Sequence, residues 1–239
     1  MARPFRANMI AAYRAFSASI TGHAAITIGH VTCSGLATFT PANILLDNYD
    51  GSAGAVVGTQ ADTGQDRIIL NGSDKIVLLS GTGYAYLDDV NTADIALQGW
   101  DPAPSVGSSN TIKVTLTAHG GDSEQFVFNA DLTGSGTGWL IRTNTTDGKV
   151  AIQRYTSLYP QVGDILDNDH VDIPGGIAND EQVEVTITFS ADGDSIIYSA
   201  KGTSKTYTKL NRTYKNQTGI AMYFDEFDNR LRCYKVQAF

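Results

Sequence analysis

Residues 181–239 read as strand, Asp-Gly turn, strand, polar connection, strand, turn and strand. Within them, 181–189 (EQVEVTITF) alternates apolar and polar residues, 190–194 (SADGD) breaks the alternation, and 195–200 (SIIYSA) resumes it. Successive side chains of a strand point to opposite faces, so alternation marks a half-buried strand. Glycine accepts the positive φ of a tight turn, so Asp192-Gly193 between two such runs predicts a hairpin. The chain is therefore expected to hold an antiparallel β domain that closes with its own last segment.

The remaining sequence agrees with that class. At 239 residues it suits one large β domain or two small ones, with chain enough for a core that needs no disulfide or metal. Asp occurs 21 times and Glu only 4, which favours turns and strands over helices. From 44 onward, strands are predicted at 55–60, 67–71, 75–80, 83–87, 93–100, 111–118, 124–130, 138–143 and 149–156. Asn71-Gly72, Asp101-Pro102, Gly120-Gly121, 134–138 and Asp147-Gly148 separate them as turns. The longest connection, 157–180, carries Pro160, Pro174 and Gly175-Gly176 and is expected to be a loop. Many short strands with regular turns indicate a sandwich or barrel, and no 20–50-residue period points to a propeller or solenoid.

Residues 1–43 differ from the rest. A helix is predicted over 6–19, with Met9, Ile10, Tyr13 and Phe16 at helical spacing, then a strand at 24–32 and a turn-rich connection at 34–43. A basic, partly apolar lead before an acidic body has two readings. One is an arm whose Arg3, Phe5, Arg6, Tyr13 and Arg14 dock on a partner; the other is a strand and turn folded onto the same domain. Arg3 and Arg6 precede an apolar patch as in a signal peptide, but Arg14 interrupts it, and no cleaved signal is expected.

Charge and cysteine count exclude several classes. The net charge is −8 with no basic stripe, so nucleic acid is not an expected partner. No run approaches the roughly 18 apolar residues of a membrane span. Cys33 and Cys233 have no metal-type spacing and are expected to be separate thiols. Asn-x-Ser/Thr triplets at Asn71, Asn144, Asn211 and Asn216 are what chance gives in a chain so rich in Asn and Thr.

Three segments carry a resemblance. They are 46–51 (LDNYDG), the hairpin 185–200 around Asp192-Gly193, and 218–223 (TGIAMY) followed by Asp228-Asn229 and the strand 231–238. Over 44–239 the chain resembles the concanavalin A-like jelly rolls, the group of laminin-G-like domains, pentraxins and many glucanases. The resemblance implies an all-β, concanavalin-like antiparallel jelly-roll β-sandwich at 44–239, its last strand beside its first, behind an N-terminal arm at 1–43. Domains of this kind with a short lead occur in phage virion proteins. The implied role is a non-enzymatic virion surface protein: a capsid decoration, collar or tail attachment module. It would bind other virion proteins through the arm, bind cell-surface glycan, and form a homo-oligomer. The alternative is a carbohydrate-binding module, secreted or part of an adhesin.

The glucanases of this fold place two carboxyls on one strand, in a Glu-x-Asp-x-x-Glu pattern. The nearest match, 226–230 (EFDNR), lacks the second Glu. Glu181 and Glu184 have opposite strand parity and Glu124 stands alone, so no glycoside hydrolysis is expected. His23, His30, His119 and His170 accompany no Gly-x-Ser-x-Gly elbow, and 134–136 reads as a hairpin loop. Asp164, Asp167, Asp169 and Asp172, with His170, cluster in the long connection. Hard oxygen ligands at short spacing suit Ca²⁺, although the pattern is not an EF-hand; the other reading is a solvated acidic loop. No further cofactor is expected. Sugar contact calls for aromatic faces, and Trp100, Tyr155 and Tyr159 are the candidates, Trp100 because it ends a strand beside Asp101-Pro102. Trp139 sits inside an alternating strand and reads as core.

Overall fold

In the computed structural model the chain divides into two compact units, Met1–Asn43 and Ile44–Phe239. The structure describes residues 23–28, 31–36, 43–72, 77–87, 96–107, 110–120, 122–123, 125–158, 161–209, 213–224 and 231–239. In the first unit, β1 (His23–Ile28) and β2 (Val31–Leu36) pair antiparallel, Ile28 opposite Val31 and His23 opposite Leu36. The single strand expected over 24–32 is thus two strands folded back on each other, and β2 takes up part of the expected connection. The helix expected at 6–19, with Arg3, Phe5, Arg6, Tyr13 and Arg14, lies outside the described residues.

The second unit begins with β3 (Leu45–Asp47), β4 (Gly54–Ala55), β5 (Asp66–Asn71), β6 (Val77–Leu79), β7 (Ala85–Leu87), β8 (Ala96–Asp101) and β9 (Thr111–Leu116). It continues with β10 (Ala118–His119), β11 (Asp122–Ser123), β12 (Gln125–Asp131), β13 (Thr137–Asn144), β14 (Lys149–Leu158) and β15 (Gln161–Asp172). It closes with β16 (Val183–Phe189), β17 (Ser195–Ala200), β18 (Thr203–Thr208), β19 (Gly219–Phe224) and β20 (Cys233–Ala238). One sheet runs β15-β14-β13-β12-β19-β8-β5; the other runs β18-β17-β16-β9-β20-β7-β6-β4, with β3 also on β20. β10 and β11 form a small separate ribbon. Neighbouring strands are antiparallel throughout, and no described residue is helical.

The pleat explains the core. In β16, Val183, Val185, Ile187 and Phe189 are buried and the residues between them are not. In β9, Ile112, Val114 and Leu116 do the same. These rows meet Phe126, Phe128, Trp139, Ile141, Ile152 and Met222 of the seven-stranded sheet in one cluster. Each such side chain contributes about 1.5–3 kcal/mol of burial. The central strands β8, β12 and β19 are buried on consecutive residues, which marks a sheet covered on both faces.

Closure is as predicted: Val236 of β20 pairs with Val114 on one side and Asp47 on the other, so the last strand lies beside the first. Thr111 and Phe239 exchange both backbone hydrogen bonds. The predicted hairpin at Asp192-Gly193 is also present, with Gly193 at φ +72 and Phe189 opposite Ile196.

Three expectations fail. The loop expected over 157–180 is largely strand β15, paired along β14. The polar connection after 200 contains β18, reached by a two-residue turn with Lys201 and Gly202 both at positive φ. Of the strand expected at 55–60, only Gly54–Ala55 forms, because Val56 and Thr59 close a turn onto each other.

Candidate functional site

The face of the seven-stranded sheet turned away from the main core is a second surface in its own right. Leu97, Val127, Ala130, Leu140, Ala221 and Tyr223 form a separate apolar cluster there. Register sets their order: Ala221 opposes Val127, Val127 opposes Leu140, and Leu140 opposes Gln153. The β8–β19–β12 side is buried, whereas Arg142, Gln153 and Tyr155 on β13 and β14 are half-buried. Tyr155 donates its hydroxyl hydrogen to Gln153 Oε1 at 2.8 Å and packs on the apolar cluster. Arg142 Nε is enclosed without an acceptor. Amide, guanidinium and phenol groups beside this buried apolar cluster suit hydroxyl-rich ligands. Among the described residues, no carboxylate stands at an interior position of this face.

Trp100, expected at the rim, is core: it is 2% exposed and donates its indole N–H to Asp47 Oδ2 at 2.8 Å. Its strand end turns inward because Asp47 needs donors. That carboxylate also accepts Nε and Nη2 of Arg67 and the backbone N–H of Tyr49. Arg67 Nη1 reaches Thr59, its guanidinium lies 5.2 Å from the Tyr49 ring centroid, and Tyr49 donates to Gln98 at 2.7 Å. Burial, chiefly, pushes the Tyr49 hydroxyl well above the ordinary tyrosine pKa. Trp139 is core as expected, and Tyr159 lies outside the described residues.

The acidic cluster is placed on a strand rather than a loop. Asp169 accepts Lys205 Nζ at 2.5 Å and the Tyr198 hydroxyl at 3.0 Å, stitching β15 to β17 and β18. Burial and then Asp169 push the Tyr198 hydroxyl upward. Asp172 is exposed in the ladder opposite Lys149. The side chains of Asp164 and Asp167 lie outside the described residues. No three His, Cys, Asp or Glu side chains gather into a metal-binding group among the described residues.

Of the glutamates, Glu181 pairs with Lys201 at 2.7 Å and Glu184 with Lys113 at 2.9 Å. Glu124, Glu226 and Asp228 lie outside the described residues. Cys233 is buried, its Sγ 3.6 Å from Met222 Sδ. A shallow depression lined by Tyr214, Lys215, Asn216 and Gln217 lies on the connection into β19 and holds no acid or histidine among those residues.

Sequence reasoning reached Tyr155 and missed Gln153 and Arg142. The signal was available: 153 and 155 share strand parity, and 142 shares parity with 140 on the neighbouring strand.

These two antiparallel sheets, with the last strand between β9 and β3, define the concanavalin-like jelly roll of lectins and glucanases. Two solved structures share it. One is a Mycobacterium abscessus protein named as a β-glucanase, with 9% identity and a TM-score of 0.50, covering 83% of this chain and 100% of its own. The other is the VIP36 exoplasmic/lumenal domain in a Ca²⁺/Man-bound form, with 13% identity and a TM-score of 0.50, covering 82% of this chain and 89% of its own. No family model and no curated protein matches the sequence. No helix among the described residues is long and apolar enough to cross a membrane.

Proposed function

We propose that this chain is a non-enzymatic, lectin-like binding protein whose ligand class is glycan, and that it serves at a phage virion surface as an attachment or decoration module. The observation that carries the binding reading is the outer face of the seven-stranded sheet. Glycoside hydrolysis of the usual kind needs two carboxyl groups across the scissile bond. At the half-buried interior positions described, this face offers Arg142, Gln153 and Tyr155 instead, groups that hydrogen-bond and stack without trading protons. The two neighbours, one named as a glucanase and one bound to Man, supply the glycan class as a proposal.

Charge supports the virion reading. The first 43 residues carry three arginines and no acid, so all 25 acidic residues lie beyond them. A cationic lead can order itself on a partner while the acidic body stays soluble. The test is a glycan array probed with the full chain, with Ca²⁺ and with chelator, alongside Gln153→Ala and Tyr155→Ala. Specific retention lost in both variants, with no sugar released, supports the reading. Turnover of a bound oligosaccharide would overturn it. Removing 1–22 should abolish particle association while leaving the β-sandwich folded; retained association would sink the docking role.

A further inference from the structure

Lys209 and Asn129 meet inside the protein, 4% and 3% exposed. Lys209 Nζ donates to Asn129 Oδ1 at 2.5 Å. The Phe189 ring lies 5.3 Å from the ammonium, and no carboxylate stands within ion-pair distance of it among the described residues. One amide oxygen and a ring face are poor replacements for water around a cation. Asn129 is unusual as well. It sits at a β-bulge in β12 with φ +44, a conformation that side chains rarely adopt. Its amide nitrogen donates to the Gln217 carbonyl at 3.0 Å. The amide is therefore clamped, oxygen toward the amine and nitrogen away from it.

We propose that Lys209 and Asn129 join in an intramolecular isopeptide bond that ties β12 of one sheet to the segment leaving β18 of the other. The lone pair of Nζ attacks Asn129 Cγ, the Cγ–Nζ bond forms, and the Cγ–Nδ2 bond breaks. The carbonyl oxygen stays, one proton passes from Nζ to Nδ2, and ammonia leaves. Amine plus amide gives substituted amide plus ammonia, so no oxidant or reductant is needed. The nucleophile must be the neutral amine. Burial lowers Lys209 to about 8, so that form is present near neutrality. Asp194 anchors the backbone of Lys209, its carbonyl accepting the Lys209 N–H at 2.8 Å, while its carboxylate pairs with Lys215 at 3.0 Å.

The experiment is a tryptic peptide map of the full chain by mass spectrometry. The expected result is a branched peptide joining the fragment with Asn129 to the fragment with Lys209, lighter than their sum by one ammonia. Lys209→Arg and Asn129→Ala should abolish it. Finding only the two linear peptides at their sequence masses, from folded protein both fresh and long incubated, would overturn the proposal. The wild-type map decides by itself, whatever the variants do, and its outcome is independent of glycan binding.

Discussion

Asp47 and Arg67 form an ion pair across the sandwich, Oδ1 to Nη2 at 2.6 Å, with one partner on each sheet and both side chains buried. Two charges out of water are stable only when each is fully hydrogen-bonded. Asp47 meets that condition with Arg67, Trp100 and the Tyr49 backbone as donors. Replacing one partner strands the other. Asp47→Ala and Arg67→Met should each cost about 3–5 kcal/mol in urea unfolding. The double variant Asp47→Leu/Arg67→Met should cost less than the worse single. Equal or additive losses would show that the pair is not coupled.

Gly219 tests the close approach of β19 to the bulge in β12. A Cβ there would stand 2.6 Å from the Ala130 carbonyl oxygen, a backbone atom that cannot swing aside. Gly219→Ala should therefore destabilise by about 1–3 kcal/mol through overpacking. Gly175→Ala, in open space but at φ +82, separates crowding from backbone conformation in the same chevron or melting series.

Tyr49 and Tyr198 hold their protons more tightly in the folded protein than a free tyrosine does, because burial disfavours the phenolate. Above about pH 10 the unfolded chain releases protons that the folded one keeps, so stability is intact below that pH and falls as pH rises beyond it. Tyr198→Phe should flatten the fall. A free Lys209 gives the opposite slope: between its folded value of about 8 and the ordinary lysine value the unfolded chain binds more protons, so stability rises with pH. A cross-linked Lys209 has no such slope. Urea midpoints measured from pH ~8 to ~11 distinguish the two.

Much of the fold was legible because its strands alternate. β9, β16 and β17 face solvent on one side, and their period of two is written in Ile112, Val114, Val185, Ile187 and Tyr198. β18 was missed because an edge strand of Thr, Ser and Lys buries almost nothing, and Lys201-Gly202 is not the Asn-Gly or Asp-Gly step that usually announces its turn. β15 was missed because its four aspartates and the flanking Pro160 and Pro174 read as loop, and because the two residues between it and β14, Tyr159 and Pro160, are not the Asn-Gly or Asp-Gly step of a tight hairpin. The site was less legible. Trp100 sits at a strand end, where sequence suggests a rim, but the buried carboxylate of Asp47, 53 positions away, draws its indole inward. Only the register that brings Leu140 opposite Gln153 reveals which polar side chains share the outer face with Tyr155.

The place of β20 sets a timetable for synthesis. Asp47 and Val114 both have Val236 as their partner. A ribosome adding about 5–20 residues per second needs roughly 10–40 s to travel from the first of these to the last. From the moment each is made until β20 follows, β3 and β9 each lack their β20 neighbour along one edge. Nascent chains in that state are templates for one another. Slower initiation, lower temperature or a holdase that shields those edges should thus raise the yield of folded protein more than any change that stabilises the finished sandwich.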